Sequence, residues 1–356
     1  MSRVSYMTEV MKPEIWEKFP EDLFDIVLAR LPIAKIICFR TVCRQWNNLI
    51  TSQRFSRHCA QFSQVNPWFY ITYGYEDNYK TMYDPFMKRW YNPTTFETPA
   101  FPVSSAGGLV CFVDSRGHNP NLYVSNPITQ SFKKLPIGSI KSWRLLGMTM
   151  NRSAGYRVLK LGYREYEIYE SVTKCWSYLG NVPNCTNFAI SNHVSIDNTL
   201  YFKHANPEKI ISCDTSTGVW TQHLIQAPLH SSDLTLAESD GRIMLVGLVR
   251  ENYSKCVCIW EVQKMTFLLK EVDRKTIQFS GFNRMSHLSC MGIQGFLLCY
   301  LKSYDKYRMI TYNISTREWV KVPVPFRTKL VDHYRHVNNH IRVRGTAFQP
   351  CLSAMP

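Results

Sequence analysis

An eight-residue pattern returns six times between residues 83 and 319: YDPFMKRW, SNPITQSF, YESVTKCW, CDTSTGVW, WEVQKMTF and YNISTREW. The second place holds Asp84, Asn126, Glu170, Asp214, Glu261 and Asn313, and Thr129, Thr173, Thr217 and Thr316 hold the fifth. Each unit closes on an aromatic residue, Trp90, Phe132, Trp176, Trp220, Phe267 or Trp319, at spacings of 42, 44, 44, 47 and 52. A short polar side chain at a strand end hydrogen-bonds the backbone ahead and fixes a turn. The aromatic that follows opens the next strand and offers a flat surface to a neighbouring sheet.

Two strand-like runs precede these turns. GGLVCFV and NLYVS lead into the second, NTLYF and KIISC into the fourth, GRIMLVGLV and KCVCIW into the fifth, and GFLLCYL and RMITY into the sixth. With the strand after the aromatic, each unit has at least three strands, and its length accommodates a fourth. Repeats of about 40–50 residues with four strands are propeller blades. The spacing therefore predicts an all-β, six-bladed propeller over 66–350. A final strand-like segment, HIRVRGTAFQP, is available to close the ring by returning to the first blade, though the sequence does not fix which blade it joins; 351–356 are left as a tail.

Helical periodicity governs only the first 60 residues. Pro20-Glu21-Asp22 marks a helix start, and Pro32 ends that helix. A second helix is expected over about 33–39 and a third over about 42–51. Leu23, Phe24, Ile26, Val27, Leu28 and Leu31 cover more than one helical face, and Ile36, Phe39, Val42, Trp46, Leu49 and Ile50 follow at helical spacing. Three short helices cannot enclose so much apolar surface. It is covered either by the rest of the chain or by another protein.

FPEDLFDIVLARLPIAKIICFRTVCRQWNNLI resembles an F-box through Pro20, Asp22, Leu23, Val27, Leu28, Arg30, Leu31, Pro32, Ile36, Phe39, Arg40, Val42, Cys43, Arg44 and Trp46. Phe19 and Ile36 replace leucines of that pattern and keep its apolar character. The repeats resemble a divergent kelch-type propeller, although the kelch double glycine survives only at Gly107-Gly108. In combination, MKPEIW, FPEDLF, RTVCRQW, NPWFY, SAGGLVCF, VSNP, CVCIWE, KEVDR, TREW and GTAFQP resemble the leaf-curling-responsiveness branch of plant F-box proteins. The domains expected are a flexible 1–15, a three-helix F-box over 16–60, and the propeller. The resemblance implies that the F-box docks the Skp-type adaptor of an SCF (Skp–cullin–F-box) ubiquitin ligase, and through it cullin and RING subunits. Pro20, Leu23, Val27, Leu28, Leu31, Pro32, Ile36, Phe39, Val42, Cys43 and Trp46 would form that adaptor-binding element. It implies a non-catalytic receptor without a cofactor that holds an unidentified target for ubiquitination, with a role in plant development. An F-box scaffold outside ubiquitination and a carbohydrate-active propeller enzyme stand as alternatives.

In kelch-type propellers the partner meets the face formed by the loops between second and third strands and between blades. The repeated turns lie on the opposite face. Strand order places Arg116, His118, Arg164, His204, Arg250, Tyr253, Lys255, Tyr304, Lys306 and Arg308 in those loops, a basic and aromatic set suited to an acidic target. A formal net charge of +15 agrees, and because the basic residues are scattered singly, nucleic acid is not indicated. No run has the length of a membrane span and MSRVSYMTEVMKPEIW has no signal-peptide core, so nucleus or cytoplasm is the expected compartment. The 12 cysteines, without a C-x-x-C pair, read as core thiols; Cys256 and Cys258 share a strand face, and His333, His336 and His340 have helical metal-like spacing in a polar stretch. No G-x-S-x-G, H-E-x-x-H or phosphate-loop motif occurs.

Overall fold

The computed structural model of the chain describes residues 20–61, 66–74, 79–93, 100–114, 120–151, 155–182, 190–205, 207–251, 254–277, 286–303, 306–323 and 342–356. They fall into two compact units, 1–65 and 66–356.

The first unit is helical. Helix α1 is Glu21–Ala29, α2 Ile33–Phe39, α3 Arg44–Ile50 and α4 Gln53–Gln61. Four helices, rather than the three expected, are present among the described residues. The fourth forms because the Ser52 hydroxyl accepts the Phe55 N–H at 3.1 Å and caps its start. Phe55 is then fully buried, and Arg54 pairs with the buried Asp25 of α1 at 3.2 Å. The Cys43 thiol occupies the N-cap of α3 and accepts the Trp46 N–H at 3.5 Å.

The second unit is a closed ring of six four-stranded antiparallel blades. Blade 2 comprises β4 (Ala100–Ala106), β5 (Leu109–Asp114), β6 (Asn121–Ser125) and β7 (Phe132–Lys134). Blade 3 comprises β8 (Leu145–Asn151), β9 (Gly155–Leu161), β10 (Glu165–Glu170) and β11 (Cys175–Asn181). Blade 4 comprises β12 (Ile190–Ile196), β13 (Thr199–His204), β14 (Lys209–Asp214) and β15 (Trp220–Leu224). Blade 5 comprises β16 (Ser231–Ser239), β17 (Arg242–Glu251), β18 (Ser254–Val262) and β19 (Leu269–Ile277). Blade 6 comprises β20 (Ser286–Ile293), β21 (Phe296–Ser303), β22 (Lys306–Asn313) and β23 (Glu318–Val322).

Blade 1 joins the two ends of this unit. Its outer strands are β1 (Trp68–Gly74), β2 (Tyr79–Asp84) and β3 (Arg89–Tyr91), and its innermost strand is β24, Arg342–Phe348. β24 runs antiparallel to β1 with Tyr70 opposite Thr346, completing an inner ring of β24, β4, β8, β12, β16 and β20. Closure by the last strand removes the free edge that an open sheet would present. Gly345 permits the fit, since a Cβ there would lie 2.7 Å from the Met291 side chain and 2.9 Å from the Tyr70 carbonyl oxygen.

Residues 351–356, expected as a tail, pack into the ring. Ala354 is buried, and the Asn126 amide donates to the Cys351 carbonyl at 2.7 Å and the Ala354 carbonyl at 2.9 Å. Gly108, at φ +85°, lets this segment pass, because a Cβ there would sit 2.5 Å from that of Cys351.

Middle strands lie between neighbouring blades and are buried on both faces, which is why GGLVCFV and GRIMLVGLV read as continuous apolar runs. Apolar clusters between successive blades form the core, and Trp90, Trp176, Trp220 and Trp319 pack against four of them. Phe132 instead stays mostly exposed.

Four repeated turns are built as expected. The Asp84 carboxylate accepts the N–H groups of Phe86 and Met87, Asn126 those of Ile128 and Thr129, Asp214 those of Ser216 and Thr217, and Asn313 those of Ser315 and Thr316. The fifth turn lies two residues further along than its aromatics suggest. Gln263 N–H donates to the Leu268 carbonyl and Phe267 N–H to the Gln263 carbonyl, matching the bonds made around Asn126 and Asp214. Gln263 therefore takes the second place, Thr266 the fifth, and Leu269 opens the outer strand. Phe267 occupies the left-handed position and stacks on His223 at 3.8 Å.

Candidate docking surfaces on the two units

The residues expected to bind an adaptor divide between the inside and the outside of the helical unit. Leu28 and Ile36 are buried, whereas Leu31, Phe39 and Trp46 are half-buried. Trp46 packs edge-on against Phe24 and Phe39, with ring centroids 5.1 and 5.0 Å apart, and so ties α3 to the first two helices. Leu23, Val27 and Val42 are 47%, 50% and 60% exposed, and Pro20, Pro32 and Cys43 are exposed beside them. Apolar side chains this open carry a desolvation gain that only a covering surface releases, about 25 cal/mol for each Å² buried.

In the propeller, antiparallel order puts the turn between the second and third strands of each blade on the same face as the connectors between blades. The repeated polar turns lie on the other face. Of the loop residues expected on the first face, Arg116, His118, Tyr253 and Tyr304 lie outside the described residues, as does the side chain of Lys306. Arg164 is exposed in the turn from β9 to β10, and Arg250 is exposed near the end of β17. Lys255, second in β18, is half-buried opposite Arg250. Two others are not loop residues. His204 ends β13 buried, its Nδ1 3.3 Å from the Pro207 carbonyl oxygen. Arg308 lies within β22 opposite Leu301, where burial lowers its pKa.

A central channel runs along the inner strands. Its wider section, about 560 Å³, is bounded by all six of them. His193 of blade 4 reaches Ser104 of blade 2, with Nε2 2.9 Å from Oγ, while Ser104 Oγ accepts the Met148 N–H of blade 3 at 2.8 Å. One serine thus joins three blades. Loss of hydration pulls the His193 pKa down to about 4, so the imidazole is neutral at pH 7. Burial raises the Glu238 pKa beside the channel, although the Gly241 N–H bonds its carboxylate.

No group of His, Cys, Asp and Glu suited to a metal ion occurs among the described residues. Cys256 and Cys258 are buried core thiols, and burial pushes that of Cys258 up to about 12. His333, His336 and His340 lie outside the described residues.

The connector 135–144, between blades 2 and 3, carries no sequence motif and reaches the loop face beside Arg164. It is held by a buried ion pair between Lys160 and Glu167 at 2.7 Å. The available signal was a pair of charges, seven residues apart, at inward positions of the otherwise apolar strands RVLKL and EYEIY.

Comparison with known proteins agrees with this architecture. Residues 16–58 match the F-box domain family, and residues 84–335 match the family described as F-box protein At3g26010-like, beta-propeller. F-box only protein 6 of Arabidopsis thaliana is 45% identical over 88% of this chain and 70% of its own length. F-box/kelch-repeat protein At3g61590, from the same plant, is 25% identical over 84% of this chain and 82% of its own. Protein UNUSUAL FLORAL ORGANS, also from Arabidopsis thaliana, is 24% identical over 88% and 80%. Among solved structures, TolB from Acinetobacter baumannii superposes with a TM-score of 0.51 at 10% identity, covering 83% of this chain and 73% of that one, a likeness of fold alone. The chain belongs to the plant F-box proteins that carry a C-terminal β-propeller.

Proposed function

We infer that this chain is the target-recognition subunit of an SCF ubiquitin ligase. Its F-box docks the Skp-type adaptor, which connects it to cullin and RING subunits, and the loop face of its propeller holds the target. The observation that carries the reading is the outward set Leu23, Val27 and Val42, on helices whose own core is closed by Leu28, Ile36, Ile50 and Phe55. Such a surface fits a partner groove rather than solvent. In this reading the chain makes and breaks no bond. Ubiquitin transfer accelerates because a target lysine is held at high effective concentration near the charged conjugating enzyme.

Reconstitution tests it. The full chain, co-expressed with a Skp-type adaptor, cullin and RING subunit, is expected to purify as a complex containing all four. Failure to bind the adaptor refutes the reading. Adaptor binding without cullin recruitment favours a scaffold role outside ubiquitination instead.

A further inference from the structure

The connector 135–144 is fixed by more bonds than a surface link between two blades requires. Glu167, fully buried on β10, takes Lys160 Nζ from β9 on one oxygen, and its carboxylate also accepts the Ser139 N–H at 2.8 Å and the Ile140 N–H at 3.4 Å. Lys160 lies over the Trp176 ring at 4.1 Å, and the Trp176 indole N–H donates to the Pro136 carbonyl at 2.7 Å. Gly138 is required, because a Cβ there would fall 2.1 Å from the Glu167 carboxylate. Ile140 is buried against Gly162, and the Arg144 N–H bonds the Leu161 carbonyl at 2.8 Å. The adjoining turn is closed by Gly162 N–H to the Glu165 carbonyl. Burying a carboxylate and an ammonium costs several kcal/mol in desolvation, and an apolar pair would serve packing as well or better. What the ion pair supplies and an apolar pair cannot is a pair of directed acceptors for the backbone of this connector.

The surface so fixed has one chemical character. Ile137 is 80% exposed and Tyr163 59% exposed. Lys141, Arg144 and Arg164 are exposed around them, and the Arg144 guanidinium stacks on the Tyr163 ring at 3.9 Å. Trp143 and Arg144 border the mouth of the central channel. Three cations and two open apolar side chains, on a backbone already ordered, make a patch that binds without a further entropy cost of ordering the loop.

We propose that Ile137, Lys141, Arg144, Tyr163 and Arg164 form the target-recognition patch of the propeller, and that its occupant is an acidic protein segment carrying an apolar residue. Charge complementarity selects that occupant: the carboxylates of the segment meet the three cations, and its apolar residue covers Ile137 and Tyr163. The proposal rests on the receptor reading above for its biological meaning, though not for the binding itself.

The test uses the full chain in complex with its Skp-type adaptor, screened against a display library of random dodecapeptides. Acidic peptides are expected to be enriched, and to bind at least about tenfold more weakly at high salt. The exposed-residue variant Lys141→Glu/Arg144→Glu/Arg164→Glu is expected to abolish that enrichment with the melting temperature and adaptor binding unchanged. Glu167→Gln, which leaves every surface charge in place, is expected to weaken the selected peptides about tenfold by loosening the connector. No enrichment, enrichment of neutral or basic peptides, or enrichment that survives the triple charge reversal overturns the proposal. Loss of the adaptor from the wild-type chain would instead count against the receptor reading, and the peptide screen on the chain alone still decides the patch.

Discussion

The two units of this chain spend their apolar residues in opposite ways. The propeller encloses them: β5 is buried at all six positions and β17 at seven consecutive ones, between neighbouring blades that form a closed ring. The helical unit, of about 40 described residues, buries Leu28, Ile36, Ile50 and Phe55 and leaves Leu23, Val27 and Val42 half open or more. A closed ring has no face left over for its core residues, so loops and turns are what it presents to solvent. A small helical unit has more apolar residues than interior, and the surplus stays exposed. The same residue class therefore supports stability in one unit and, on the proposed function, association in the other.

The comparison breaks most readily at the buried charge in blade 3. Glu167→Ala leaves the Lys160 ammonium buried without its partner, and is expected to destabilise the propeller by about 3–5 kcal/mol in denaturant unfolding. Replacing both, as Lys160→Met/Glu167→Met, is expected to recover most of that loss, because neither charge then remains in the interior. Adaptor binding should not change in either variant. Equal stability of the single and double variants would show that the cost comes from the lost backbone acceptors of Glu167 rather than from the unpaired Lys160 ammonium.

Leu23→Asp/Val27→Asp turns the comparison round. Both positions are about half exposed, so unfolding should barely shift, while adaptor affinity falls roughly 100-fold or more in a binding titration. A large drop in stability would mean that these side chains belong to the core of the helical unit, and that its surplus is smaller than described.

A third effect belongs to the channel. His193, neutral in the fold with its pKa held near 4, gains a proton in the unfolded chain near pH 6.5. A depressed histidine pKa means that the unfolded state binds more protons in this window. Its contribution is intact above pH 6.5 and lost as pH falls from 6.5 towards 4, on the order of 3 kcal/mol in total. His193→Gln should flatten this part of the pH–stability curve. An unchanged slope would place the acid sensitivity elsewhere.

Much of this architecture could be read from the sequence because one turn recurs with its mechanism attached. Asp84, Asn126, Asp214 and Asn313 do the same work in four blades, and their spacing counted the blades correctly. The phase of the fifth turn is hidden in the sequence because Trp260 and Phe267 imitate the aromatic frame, while its second place holds Gln263, which takes part through its backbone. Thr266, in the fifth place, was the better guide. The fourth helix escaped notice since QRFSRHCAQ offers one buried aromatic, Phe55, and its tie to α1 depends on Asp25 far back in the chain. The F-box resemblance marked the right helices, yet only the fold separates Leu28 from Val27. The loop face was the least legible. His204 and Arg308, which strand order assigns to loops, sit in strands, whereas connector 135–144 has no motif and is organised by Lys160 and Glu167 from two other strands.

The smallest effect separates repeats that look alike in sequence. Asn126 and Asn313 stand at the same place in their turns, and each side-chain oxygen accepts two N–H groups ahead. Only Asn126 is fully buried and uses its amide nitrogen as well, donating to the Cys351 and Ala354 carbonyls of the closing segment. Asn313→Ala removes an acceptor from a turn open to solvent, and is expected to cost about 1 kcal/mol. Asn126→Ala removes that acceptor and also strips two carbonyls of their donor, so about 2–3 kcal/mol is expected. Removing residues 351–356 takes away the two carbonyls themselves. In that background the two alanine variants should converge towards the same cost, read as a double-mutant cycle by denaturant unfolding. Convergence would show that the extra stability of the second blade comes from the closing segment, while a persistent gap would assign it to burial of the turn itself.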